Sequence, residues 1–97
     1  MNITSVKVRK IEKENSRMKG IASVLIDDVF AIHDIRIIEG ETGLFIAFPS
    51  RKTATGMYRD VAHPLVQEVR EQFFDAIMAE YYRSQSDDDT NFVVEGD

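Results

Sequence analysis

Two histidines, seventeen carboxylates and twelve Lys or Arg side chains are the groups in this 97-residue chain with chemistry to offer, and none of its residues is cysteine. Without cysteine there is no thiolate nucleophile, no thiolate zinc site and no disulfide framework. His33 is followed by Asp34, a combination that suits general acid–base work if the two side chains meet. On a regular strand they do not, because successive side chains point to opposite faces. His63 stands before Pro64, and the two histidines lack a metal-binding spacing such as HxxxH. No Gly-x-Ser-x-Gly elbow, Walker loop or GxGxxG run is present, and Gly40 and Gly43 read as turn glycines. The expectation is a protein with no catalytic residue, no metal and no cofactor, and not an enzyme.

The basic residues are more informative. Arg51 and Lys52 follow Pro49-Ser50, precede Thr53 and Thr55, and have no acidic residue within six positions on either side. Loops of this kind carry binding residues more often than buried elements do. Arginine grips a phosphate or a guanine edge bidentately, and lysine acts as a point charge. Arg59 joins the pair if residues 57–62 fold back as a strand, and Lys7 and Arg9, on one face of the first strand, extend the footprint. From composition alone a solvated basic loop is the plain alternative.

The formal charge of −5 and the pI of about 5.0 argue at first against a polyanionic partner. The position of the charges removes that objection. Residues 84–97, SQSDDDTNFVVEGD, hold five of the seventeen acidic side chains and no basic one, so the other twelve balance the twelve basic residues of the body. The tail has only Phe92, Val93 and Val94 as an apolar cluster. It cannot offset its own ordering entropy and reads as disordered.

The elements that must position these residues follow from periodicity. Val6 and Val8 alternate with Lys7 and Arg9, which predicts a first strand with one dry and one wet face. Residues 18–27 and 29–38 are more continuously apolar and bracket Asp27-Asp28, a hairpin signal. Residues 39–43 form a second turn, residues 44–48 a short strand stopped by Pro49. Ser50 to Gly56 reads as a loop and residues 57–62 as a short fifth strand. From Pro64 the period changes: Leu65, Val66, Val69, Phe73, Ile77 and Tyr81 recur at spacings of three and four, predicting a helix over 64–83. The fold class is α+β, an antiparallel sheet of four to five strands followed by one long C-terminal helix in a single domain over 1–83. One helix covers one face of such a sheet, so the other face is polar, or a second subunit covers it or extends an edge strand.

The run HDIRIIEGETGLFIAFPSRKTATGMYRDVAHP over residues 33–64 resembles the SpoVG family, the stage V sporulation protein G or septation-regulator proteins of bacteria. The blocks His33–Gly40, Gly43–Lys52 and Arg59–Pro64 match in order and spacing, and ITSVKVRKIE and MKGIASVLIDD look like the family's first hairpin. The likeness covers about residues 2–83. It departs from the common family form at Ala54, where proline is frequent, and at Met57-Tyr58. The resemblance implies a homodimer built on a twisted antiparallel sheet and a long helix, joined partly through sheet edges. It also implies a DNA-binding, in some members RNA-binding, regulator of gene expression, with the basic pair after Pro-Ser, here Arg51 and Lys52, at the nucleic acid.

The expectation is therefore a dimeric, cytoplasmic regulator of sporulation or septation-type processes that binds DNA, and RNA as some family members do, through Arg51, Lys52 and Arg59, with Lys7 and Arg9 as weaker contributors. No small-molecule substrate and no membrane partner are expected, since no apolar run approaches the ~20 residues of a membrane span. The rival is a non-catalytic interaction module that recruits a protein through a sheet edge or the helix.

Overall fold

The computed structural model describes residues 1–83; the acidic segment 84–97, read above as a disordered tail, lies outside the described residues. Among the described residues the chain runs β1 (Ile3–Lys10), β2 (Met18–Ile26), β3 (Phe30–Glu39), β4 (Leu44–Ala47), β5 (Ser50–Lys52), β6 (Tyr58–Asp60) and α1 (Gln67–Arg83). The α+β order is the one the sequence predicts. The strands, however, divide into an antiparallel four-stranded sheet, β1-β2-β3-β4, and a separate two-stranded ribbon, β5-β6. Pro49 sits at the break, where it cannot donate to a ladder.

Local chemistry fixes the register. Asp27 and Asp28 both adopt left-handed backbone, with φ of 52° and 58°, which aspartate tolerates better than most residues, in the three-residue connection between the paired Ile26 and Phe30. The turn is tied to the chain start: the Asp27 N–H donates to the Asn2 carbonyl at 2.8 Å, and the Asp28 N–H donates to Thr4 Oγ1 at 3.1 Å. At the next turn the Gly40 N–H donates to the Gly43 carbonyl at 2.8 Å, and Gly43 has a φ of 140° that suits glycine.

Alternation then sends Val6, Val8, Ala22, Val24, Ile35 and Ile37 to one face, where α1 packs with Phe73, Ile77 and Met78. Phe48 closes the core beyond β4, its ring edge-on to Phe73 with centroids 5.4 Å apart. The helix begins at Gln67, three residues later than the predicted Pro64. Leu65 is 91% exposed and Val66 53% exposed, so these two apolar residues do not continue the helical stripe. The Val66 carbonyl accepts the first bond, from the Arg70 N–H at 3.1 Å, and the helix starts where Val69 reaches the core. Among the described residues no helix lies against the other face of the four-stranded sheet.

Candidate nucleic-acid interface

The residues predicted to bind phosphate stand on the ribbon, not in a loop. The chain leaves β4 through Phe48-Pro49, and Arg36 of β3 fastens the exit by donating from Nη2 to the Phe48 carbonyl at 3.3 Å and to Ser50 Oγ at 3.2 Å. β5 and β6 then pair as Ser50 with Asp60, Arg51 with Arg59 and Lys52 with Tyr58. The Thr53 N–H donates to the Met57 carbonyl at 2.6 Å, and the Gly56 N–H donates to the Thr53 carbonyl at 3.0 Å. With Gly56 at φ 88°, this is a three-residue hairpin loop closed by a left-handed glycine. The sequence reading of 50–56 as loop is therefore corrected for Ser50–Lys52. Three consecutive polar residues hide their strand character, because alternation is visible only where one face is apolar.

Folding the ribbon rearranges the expected site. Arg51 and Arg59 face each other directly across the two strands, while Lys52 points to the opposite face with Tyr58. Bonds at Thr53–Met57 and Val61–Pro49 place Arg51 and Arg59 between them as a hydrogen-bonded pair, with Cα atoms roughly 5.5 Å apart. The fold-back of residues 57–62 thus brings Arg59 to Arg51, and it separates Lys52 from both. Like charges directly opposed weaken a ribbon. Among the described residues no carboxylate lies within ion-pairing distance of Arg51, Lys52 or Arg59. Arg51 and Arg59 line an open hollow of about 350 Å³ with Thr53, Asp60 and Val61. Two guanidinium groups on one ribbon face are chemically suited to grip an anion with several oxygens, such as a phosphate.

Lys7 and Arg9 lie elsewhere, on β1 at the sheet face opposite α1, around a hollow of about 290 Å³ shared with Ile21, Ser23, His33 and Asp34. Here a second expectation is corrected. The register between β2 and β3 shifts so that Ala22 pairs with Ile35 and Val24 with Ile32, leaving His33 and Asp34 together opposite Ser23. Asp34 takes a φ of 64°. This β-bulge breaks the alternation, and both side chains border the same hollow. His33 Nδ1 shares a hydrogen bond with Ser23 Oγ at 2.9 Å. His63 is far along the chain in an exposed bend, its Nδ1 donating to the Pro64 carbonyl at 3.0 Å. Among the described residues no group of three or more His, Asp or Glu is placed to hold a metal ion.

Sequence reasoning missed Arg36 and Tyr58. Arg36 lies within the more continuously apolar run 29–38, and only the sharp exit at Pro49 shows why a guanidinium is needed there. Tyr58 gives no signal beyond its type. It borders a second hollow of about 320 Å³ with Met18, Ile21, Asp34, Arg36, Pro49 and Ser50.

A four-stranded antiparallel sheet backed by one helix, with a two-stranded ribbon that opposes two arginines, defines a small α+β protein. The family model for SpoVG matches residues 1–83, and the chain belongs to the SpoVG family. Two relatives match over nearly their full length: one from Clostridium beijerinckii is 50% identical over 96 residues, 99% of this chain and 100% of its own. One from Clostridium acetobutylicum is 47% identical over 95 residues, 98% and 99% respectively. A third, from Phytoplasma australiense, is 53% identical over 81 residues, 84% of this chain and 83% of its own. All three bear the name "putative septation protein SpoVG". No helix among the described residues is long and apolar enough to cross a membrane.

Proposed function

We propose that this protein is a cytoplasmic nucleic-acid-binding regulator, acting as a homodimer in septation or sporulation-type processes, with the β5–β6 ribbon as its contact to DNA or RNA phosphates. The observation that carries the reading is the Arg51–Arg59 pair: two arginines opposed across a ribbon at a stability cost that an anion relieves. Lys52, on the other ribbon face, adds charge without sharing the same phosphate. Support for the dimer comes from Met57, Val61, Leu65 and Val66, which are 67%, 65%, 91% and 53% exposed. Apolar side chains concentrated at the ribbon's hairpin and in the segment after it suit burial against a second copy, and two copies double the phosphate contacts. The bacterial septation or sporulation setting rests on the family and on its relatives' names.

The test is a fluorescence-anisotropy titration of a labelled duplex at several salt concentrations, with sedimentation in parallel. Arg51→Ala and Arg59→Ala each weaken binding and flatten the dependence of log affinity on log salt by about one unit, with the oligomeric state unchanged. Equal affinity and equal salt slope in wild type and both variants sink the assignment. A pull-down that returns one stoichiometric protein, with no nucleic-acid binding at physiological salt, favours an interaction module instead.

A further inference from the structure

Building on the nucleic-acid reading and carrying it to a second surface, we infer that the face of the four-stranded sheet opposite α1 binds a single strand of nucleic acid. One unstacked base lies on the Tyr58 ring, and the strand's phosphates lie on Arg36 and on Arg9 with Lys7. The two hollows on this face share Ile21 and Asp34. They form one trough that begins under the ribbon at Ser50 and Tyr58, crosses β3 and β2, and ends at Lys7 and Arg9 on β1.

The trough is built for more than solvent. Arg36 is half-buried, and its hydrogen-bond partners, the Phe48 carbonyl and Ser50 Oγ, are neutral, so its positive charge is held at the trough without a hydrogen-bonded carboxylate. Tyr58 is 72% exposed and stands on the ribbon face opposite the Arg51–Arg59 pair. An aromatic ring in water beside a fixed guanidinium is what proteins present to splayed-out bases. Asp34 sits where the hollows meet, in a left-handed conformation inside a strand. Such conformations persist where they aim a side chain. Its carboxylate there accepts from the exocyclic amino group of a base, while phosphates keep to the cations on either side.

A single strand is favoured over a duplex because the hollows, of about 320 and 290 Å³, admit separate bases. Paired bases are locked in their stack and expose only edges in the grooves. Lys52 shares the Tyr58 face of the ribbon, so the trough is continuous with a cation of the proposed duplex-contacting ribbon.

The experiment compares a short mixed-sequence single-stranded DNA with the same strand annealed to its complement, both dye-labelled, against the full chain. Tyr58→Ala lowers single-strand affinity about ten-fold and duplex affinity less than about two-fold, and Tyr58→Phe keeps the wild-type value because the ring is retained. Arg9→Ala weakens the single strand more than the duplex, whereas Arg51→Ala weakens both. Equal losses on both probes, or none, for Tyr58→Ala and Arg9→Ala overturn the trough while the effect of Arg51→Ala keeps the ribbon. A shift of Tyr58→Ala or Arg9→Ala toward monomer in sedimentation also overturns it, since the face is then covered by a second copy. Wild type that binds neither probe removes the underlying reading as well.

Discussion

The four-stranded sheet with its helix and the β5–β6 ribbon are consecutive parts of one short chain, yet they follow opposite rules. In the first, alternation buries Ala22 and Val24 of β2 and Ile35 and Ile37 of β3, and these four and Ile77 of α1 are 0% exposed. In the second, Arg51, Lys52, Tyr58, Arg59 and Asp60 are all exposed, and the central pair is two like charges. Packing decides the first region, whereas the ribbon adds no residue to the buried core and is held at its root by Arg36. A segment that contributes little to the core is free to carry charges that would be destructive inside it. The contrast is the expected signature of a site carried on a stable frame.

The contrast predicts where substitutions are felt. Ile77→Ala removes a fully buried side chain from the middle of the core and lowers unfolding free energy by about 2–5 kcal/mol, read as a fall in the urea midpoint. Nucleic-acid affinity per folded molecule stays unchanged. Next is Gly20→Val, where even a Cβ would stand 3.2 Å from both the Arg9 carbonyl oxygen and Ile37 Cδ1 and 3.6 Å from Tyr81 Cε1. The bulkier side chain forces α1 off β2 and costs about 1–3 kcal/mol. A wild-type urea midpoint for Gly20→Val would show that the helix does not need this close approach. Arg59→Ala sits at the other pole. It relieves the opposed charges, so stability holds or rises by about a few tenths of a kcal/mol while phosphate binding weakens. A clear loss of stability in Arg59→Ala would erase the distinction between frame and site.

Much of the frame is legible in the residues. Period-two alternation at Val6–Arg9, the Asp27-Asp28 turn and the three-and-four spacing from Val69 to Tyr81 each have a local cause, and each appears where expected. The ribbon is harder to read because Ser50, Arg51 and Lys52 have no dry face to betray a strand. The bulge at Asp34 is harder still. Its existence depends on β2 and β3 slipping between Ala22 and Val24, a long-range register that a single strand's sequence does not announce. For the same reason Leu65 and Val66 extend the helical pattern on paper and stay outside the helix, since membership depends on reaching a core they do not touch. The sequence marks Arg51, Lys52 and Arg59 as basic candidates, but it does not announce that the fold opposes the two arginines and turns the lysine away.

The smallest predicted effect lies at the seam where α1 meets the sheet. Tyr81 packs beside Gly20, with Lys10 Nζ 4.9 Å from its ring centroid and the Tyr82 ring edge-on at 5.3 Å. Burial raises its phenol above the ordinary value of 10.0, and the neighbouring Tyr82 and Glu39 add to the shift. A phenol raised on folding is held neutral in the native state, while the unfolded chain ionises it first. The contribution to stability is complete below the unfolded value and is lost as pH rises through the folded one, so the loss begins near pH 10. The ring is only partly buried, which keeps the effect small. Tyr81→Phe keeps the ring over Gly20 and beneath Lys10 but has no proton to lose. Urea midpoints measured from neutral to alkaline pH should therefore fall less steeply above pH 10 for Tyr81→Phe than for wild type. Parallel curves would place the alkaline sensitivity in another group. Divergence confined to that window would locate it at this seam, because the ribbon's charges are present in both proteins and cancel from the comparison.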